Sequence, residues 1–178
     1  MTLARRTRVV ALAVLAAGAT LVGVGLWLVL RSDGGSPAPA GALGAVLGDQ
    51  RPATAPFAGL TEVQLAVAGD CRRLVVADAE GERATGLMRR RDLGPYAGML
   101  FVFDGPTQDA FTMSEVPVPL DIGFYDAHGR QVDQLVMQPC PDRPVAECPT
   151  YRAHRSYRYA LETLRGGLPS GGLGSCPS

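Results

Sequence analysis

Apolar positions change their spacing several times along this chain, and each change marks an element. Residues 9–30 form an unbroken apolar run in which no charge occurs and Thr20 is the one hydroxyl. At about 1.5 Å per residue, a helix of that length spans a hydrocarbon core of roughly 30 Å. Beyond residue 60 apolar and polar positions alternate, the period-two signature of half-buried strands. Strands are predicted at 63–67, 73–77, 99–103, 110–113, 120–125, 131–137 and 157–164. Gly69-Asp70 and the Asp126-Ala127-His128-Gly129 segment supply turns that join neighbouring strands. Between the second and third strands, Asp78 is placed to cap a short helix. Glu80 and Glu82 fall in its first turn, Ala84, Leu87 and Met88 share one face, and Gly94-Pro95 lies beyond its end. Seven short strands and one helix predict a mainly β domain, α+β at most: a small β-sandwich or partly open barrel behind one transmembrane helix.

Charge orients the apolar run. Arg5, Arg6 and Arg8 precede it, and Asp33 offsets Arg31 after it, so the positive-inside bias keeps residues 1–8 in the cytoplasm and exports the rest. A cleaved signal peptide is the rival reading, and it would make the protein secreted. Its apolar core normally runs to about 7–15 residues, and the Ala38-Pro39-Ala40 cleavage candidate lies beyond the run and contains a proline. The favoured expectation is a single-pass cell-membrane protein with its domain outside. Residues 31–59 are rich in Gly, Ala, Pro and Ser. Such a composition buries too little surface to offset backbone ordering entropy, and it predicts a tether. Residues 60–178 are then the extracytoplasmic domain.

Lysine plus arginine equals aspartate plus glutamate at 17 each, which leaves no excess positive field for nucleic acid. The expected partners are the membrane, through residues 9–30, and an envelope glycan or protein ligand. Four cysteines in an exported domain read as two disulfides, with three pairings open from sequence alone. Cys140 and Cys148 bracket a proline-rich loop and are the natural local pair, which leaves Cys71 for Cys176. Thiol-exchange centres place their two sulfurs much closer along the chain than these are. His128 and His154 are the two histidines and neither has a second ligand at zinc-site spacing. No cofactor is expected.

Five segments carry a family resemblance: Gly86-Leu87-Met88-Arg89-Arg90, Gly98-Met99-Leu100-Phe101-Val102-Phe103, Phe111-Thr112-Met113, Pro119-Leu120-Asp121-Ile122 and Cys148-Pro149-Thr150-Tyr151. In order and spacing they resemble the family called domain of unknown function 192, an uncharacterised family of bacteria and archaea, over about residues 60–164. The resemblance implies a mainly β fold of jelly-roll-like character, often exported behind a signal or anchor, with no settled activity. The family commonly has lysine and asparagine where this chain has Ser114 and Glu115, so chemistry that needed that cation does not carry over.

Asp121 interrupts the apolar stretch 116–124, and a carboxylate there must be hydrogen-bonded or face a cleft. The structural reading, an Asp tying down nearby backbone, leads over a ligand role. Glu115 could supply the second carboxylate of a hydrolase acting on an envelope polymer. Tyr151 could stack on a sugar ring or simply cover the disulfide. Met88, Met99 and Met113 could converge as a soft metal site, with core packing the commoner outcome. The function expected is a non-enzymatic binding or envelope-associated module.

Overall fold

The structure, a computed structural model, describes residues 40–177. In chain order the elements are helix α1 (Ala40–Leu47), strands β1 (Arg51–Pro52), β2 (Thr61–Val67) and β3 (Asp70–Ala77), and helix α2 (Glu80–Thr85). Strands β4 (Gly98–Thr107), β5 (Phe111–Thr112), β6 (Leu120–Tyr125), β7 (Gln131–Met137), β8 (Thr150–Tyr151), β9 (Tyr157–Leu164) and β10 (Leu173–Gly174) follow. The fold is mainly β with few helices. Each strand predicted from alternation exists, and β6, β7 and β9 have the predicted bounds.

Eight strands form one open sheet in the order β1-β2-β3-β4-β9-β6-β7, with β10 on β2 beside β1, while β5 and β8 make a separate two-stranded ribbon. The two comparable layers of a sandwich are therefore not formed. β3 and β4 run parallel, so their connection crosses over the sheet, and α2 lies in that crossover. The β2–β3 hairpin turns at Ala68-Gly69, one residue earlier than expected. Both residues have positive φ, 52° and 92°, the geometry of a two-residue turn whose twist matches the flanking strands.

β9 lies between β4 and β6, and residues 159–163 on it are all buried. Alternate residues face opposite sides of a strand, so both sheet faces need a cover. One face carries Met99, Phe101, Ile122, Phe124 and Ala160, closed by Leu87, Leu93, Tyr96, Met113 and Val116 from the connections. The other carries Leu65, Leu74, Val76, Tyr125 and Leu161, closed by Leu43 of α1 and by Leu168 and Leu173 of the tail.

The tether expected at 31–59 is corrected from residue 40 onward. Leu43, Ala53 and Phe57 are buried, and each large apolar side chain so placed contributes on the order of 2 kcal/mol. The segment between β1 and β2 is also pinned by polar contacts. The Thr54 N–H donates to the Tyr96 hydroxyl at 2.7 Å, that hydroxyl donates to Glu62 at 2.7 Å, and Arg73 Nε donates to the same carboxylate at 2.9 Å. These donors, Arg73 foremost, hold the Glu62 carboxyl below its ordinary range. The domain thus begins some twenty residues before the predicted boundary. The predicted membrane span at 9–30, residues 1–8 and the rest of the tether lie outside the described residues. Among those described, no helix is long and apolar enough to cross a membrane.

α2 is shorter than predicted and Asp78 does not cap it. Ala79 is the N-cap residue, and Glu82 reaches back to accept from the N–H groups of Asp78 and Ala79 at 3.1 Å each. The glycine-rich tail at 166–174 contributes β10. Its Leu173 N–H donates to the Gly129 carbonyl at 2.7 Å, and Gly172 accepts from the Ala68 N–H at 2.9 Å.

Both disulfides form as paired from sequence, Cys140 to Cys148 and Cys71 to Cys176, the second joining residues 105 apart. Closing so long a loop removes entropy from the unfolded chain worth about 4 to 5 kcal/mol. Replacing both Cys71 and Cys176 by serine should lower the urea unfolding midpoint by the equivalent of that amount. An unchanged midpoint would show that β10 and Leu173 hold the tail by themselves.

Candidate functional site

The crossover that carries α2 does not lie flush on the sheet. It leaves a cavity of about 430 Å³ between α2, the middle of β4, the C-terminal part of β9, and β5. Phe101 and Phe103 come from β4 and Phe111 from β5, and Leu87, Met88 and Val116 complete the apolar wall. The rings meet edge to face, with centroids 5.0 Å apart for Phe101 and Phe111 and 6.5 Å for Phe103 and Phe111. Beyond Val102 the pairing of β4 with β9 shifts before it resumes at Thr107, which bends the strand outward around the cavity. Gly86 ends α2 with φ of 47°, and a Cβ there would lie 3.3 Å from the Phe101 ring. A larger residue would therefore be strained and would crowd the wall.

Glu162 reaches this cavity from the middle of the sheet. Its register partners are Met99 on β4 and Ile122 on β6, so all three share the face that bears the aromatic cluster. Glu162 is 4% exposed. Among the described residues no hydrogen bond or charge offsets its desolvation, which alone pushes its carboxyl up to about 8. The acid is then neutral at pH 7. Thr112 Oγ1, also in the cavity lining, is buried without a partner. Glu162 is thus the acid on the floor of a cavity whose wall mixes phenylalanine rings with polar residues.

Arg83 stands at the rim with Glu80 and Asp109. Its guanidinium donates to the carbonyl of Asp78 and, at 3.0 Å, to that of Val102, and lies 5.2 Å from the centre of the Phe103 ring. Both bonds come from Nη1, and among the described residues no hydrogen bond joins Arg83 to Glu162.

Asp121 and Glu115 are held in different settings. Asp121, 5% exposed, pairs in register with Thr163 and Val136, on the face opposite Glu162. Its carboxylate accepts from the Gly166 N–H at 2.6 Å and from Arg165 at 3.4 Å, which closes the turn after β9. Glu115 has φ of 58° and pairs with Arg89 at 2.5 Å, while its backbone N–H donates to the Cys140 carbonyl at 3.2 Å. Neither lines the cavity. Tyr151 is half-buried, pairs with Phe111 across the small ribbon, and accepts from the Gln138 N–H at 2.9 Å. Met99 and Met113 are buried in the same apolar cluster, and Met88 lines the cavity. Among the described residues no three His, Cys, Asp or Glu side chains group as a metal site.

Sequence reasoning missed Glu162. In the alternation of Tyr157–Leu164 it falls in phase with Arg158, which reads as a solvent face. The cover that buries it comes from α2 and β5, both distant in sequence.

An open, mainly β sheet stapled by two disulfides, with an acid-floored cavity under its crossover, defines a small mainly β domain. The chain belongs to the DUF192 family, described as an uncharacterized ACR, whose model matches residues 63–174. Three of the five segments that carried the resemblance, at 86–90, 98–103 and 111–113, contribute cavity-lining residues. No curated protein matches the chain. Among solved structures, a protein of unknown function from Novosphingobium aromaticivorans DSM 12444 is 28% identical with a TM-score of 0.58, over 69% of this chain and 91% of its own. A candidate transcription regulator from Sinorhizobium meliloti 1021 shares the fold at 24% identity and a TM-score of 0.52, over 63% of this chain and 90% of its own.

The buried acid predicts a pH signature. A carboxyl whose pKa rises from 4.5 in the unfolded chain to about 8 in the folded one binds more protons when folded. Its contribution is therefore present below 4.5 and is lost as pH rises through 8, by up to about 1.4 kcal/mol per pH unit in between. Glu162→Gln stays neutral throughout. Melting curves of wild type and Glu162→Gln should lie close at pH 5 and diverge by pH 9, with the variant the more stable. A constant gap across that range would show a carboxylate already compensated.

Proposed function

We propose that the protein is a membrane-anchored extracytoplasmic module that binds a small organic molecule in the Glu162 cavity without performing chemistry on it. The observation that carries the reading is the buried Glu162 carboxyl, which has no partner and faces an aromatic-walled space. Ligand sites are usually concave, mostly apolar, of about 300–1,000 Å³, with a few polar groups that fix orientation. A volume near 430 Å³ with Glu162 on its floor and three phenylalanine rings in its wall fits that size and make-up. The extracytoplasmic placement is supported by the apolar run at 9–30 with its preceding arginines, and by two disulfides, which persist in oxidising compartments. The non-enzymatic reading is supported by Asp121 and Glu115. Each is engaged by its own partners, and they do not share a cleft wall.

Ala84 is exposed and lines the cavity, so a larger side chain there blocks entry while sparing the core. Saturation-transfer NMR of the oxidised full chain in detergent, against a panel of water-soluble neutral, cationic and anionic fragments, should give saturable binding for at least one of them. Ala84→Trp should weaken it at least tenfold at an unchanged melting temperature. Absence of any saturable fragment, or equal binding by Ala84→Trp, would remove the reading.

A further inference from the structure

The cavity is one-sided in charge. Glu162 lies on its floor, Glu80 and Asp109 stand at its rim, and Arg83 is the one cation in its lining. Arg83 is already committed to two backbone carbonyls and to the face of Phe103, so it does not supply the counter-charge of the buried acid. The neighbours of Glu162 in the sheet are Met99 and Ile122, which carry none either. Across the cavity, β5 contributes Phe111 and Thr112, neither of which carries a charge.

What the space lacks is a positive charge, and what it provides is aromatic surface. Phe101, Phe103 and Phe111 all line it. A desolvated organic cation beside the face of such a ring gains from its quadrupole. We propose that the ligand is a small organic ammonium ion, its charged head paired with the Glu162 carboxylate and its hydrocarbon body held by the phenylalanine rings. This rests on the cavity reading given above and adds the chemical class of the occupant.

The proposal carries its own pH signature. Burial keeps the Glu162 carboxyl protonated up to about pH 8 in the empty protein, and an ammonium ligand must displace that proton. Affinity then rises about tenfold per pH unit below 8 and levels off above it. A neutral ligand that accepts a hydrogen bond from the protonated acid shows no rise, or a fall.

Benzylammonium and benzyl alcohol are near-isosteres that differ in charge, and they serve as probes with the oxidised full chain. Calorimetric titration at pH 6, 7 and 8 should show benzylammonium gaining about fiftyfold across the series and exceeding benzyl alcohol at pH 8. Glu162→Gln should weaken benzylammonium at least tenfold and abolish its pH slope, with a melting curve at pH 5 close to that of wild type, which shows the fold intact. If benzyl alcohol binds as tightly as benzylammonium at pH 8, or the slope is flat or negative, the ammonium assignment is overturned and the cavity reading stands. If neither compound binds at any pH while a neutral or anionic fragment from the panel does, the ammonium assignment alone falls. If nothing binds, both fall.

Discussion

A strand buried on both faces obliges the rest of the chain to cover it twice. β9 is that strand, flanked by β4 and β6 and closed off above and below. The cost of leaving either face wet is the lost burial of side chains such as Phe101 and Ile122 on one side and Leu65 and Tyr125 on the other, at about 1.5–3 kcal/mol each. A single open sheet has no second sheet to pack against. Its covers must come from connections and chain ends, and these differ in quality. The cover formed by α1 and the tail is apolar and tied down by β10 and by Cys71–Cys176. The cover formed by the crossover is looser, and the cavity lies where it falls short of the sheet.

What could be read from the residues follows the range of the interactions involved. β6, β7 and β9 declare themselves because their alternation or apolar continuity is local. The local disulfide follows from spacing, and with four cysteines it leaves one further pair. The first twenty residues of the domain were illegible for the opposite reason. Their composition is that of a linker, and they are ordered by single anchors: Leu43 against the far face, Phe57 against the near one, and Thr54 on Tyr96. None of those contacts leaves a periodic trace. Asp121 and Glu162 show how the same local rule misleads in two directions. Asp121 interrupts an apolar run and looks exceptional, yet it ties a turn. Glu162 keeps perfect phase with its strand and looks ordinary, yet among the described residues its carboxyl finds no partner.

The near-neutral overall charge likewise hides a local imbalance. Most carboxylates with assigned partners, such as Glu62 with Arg73, Asp126 with Arg130 and Glu115 with Arg89, are satisfied by arginines close at hand. An isolated buried acid is costly, and this protein tolerates it by leaving the group protonated. The domain thus stores an unused hydrogen-bonding group inside an apolar wall, in the manner of binding sites that trade stability for recognition.

The two ends of the described chain share a feature of placement. Ala45 and Val46 of α1 and Ser175 and Cys176 of the tail wall one shallow groove, and none of them borders the Glu162 cavity. A pull or an attachment at either end of the described chain therefore acts on a part of the surface that shares no wall with that cavity.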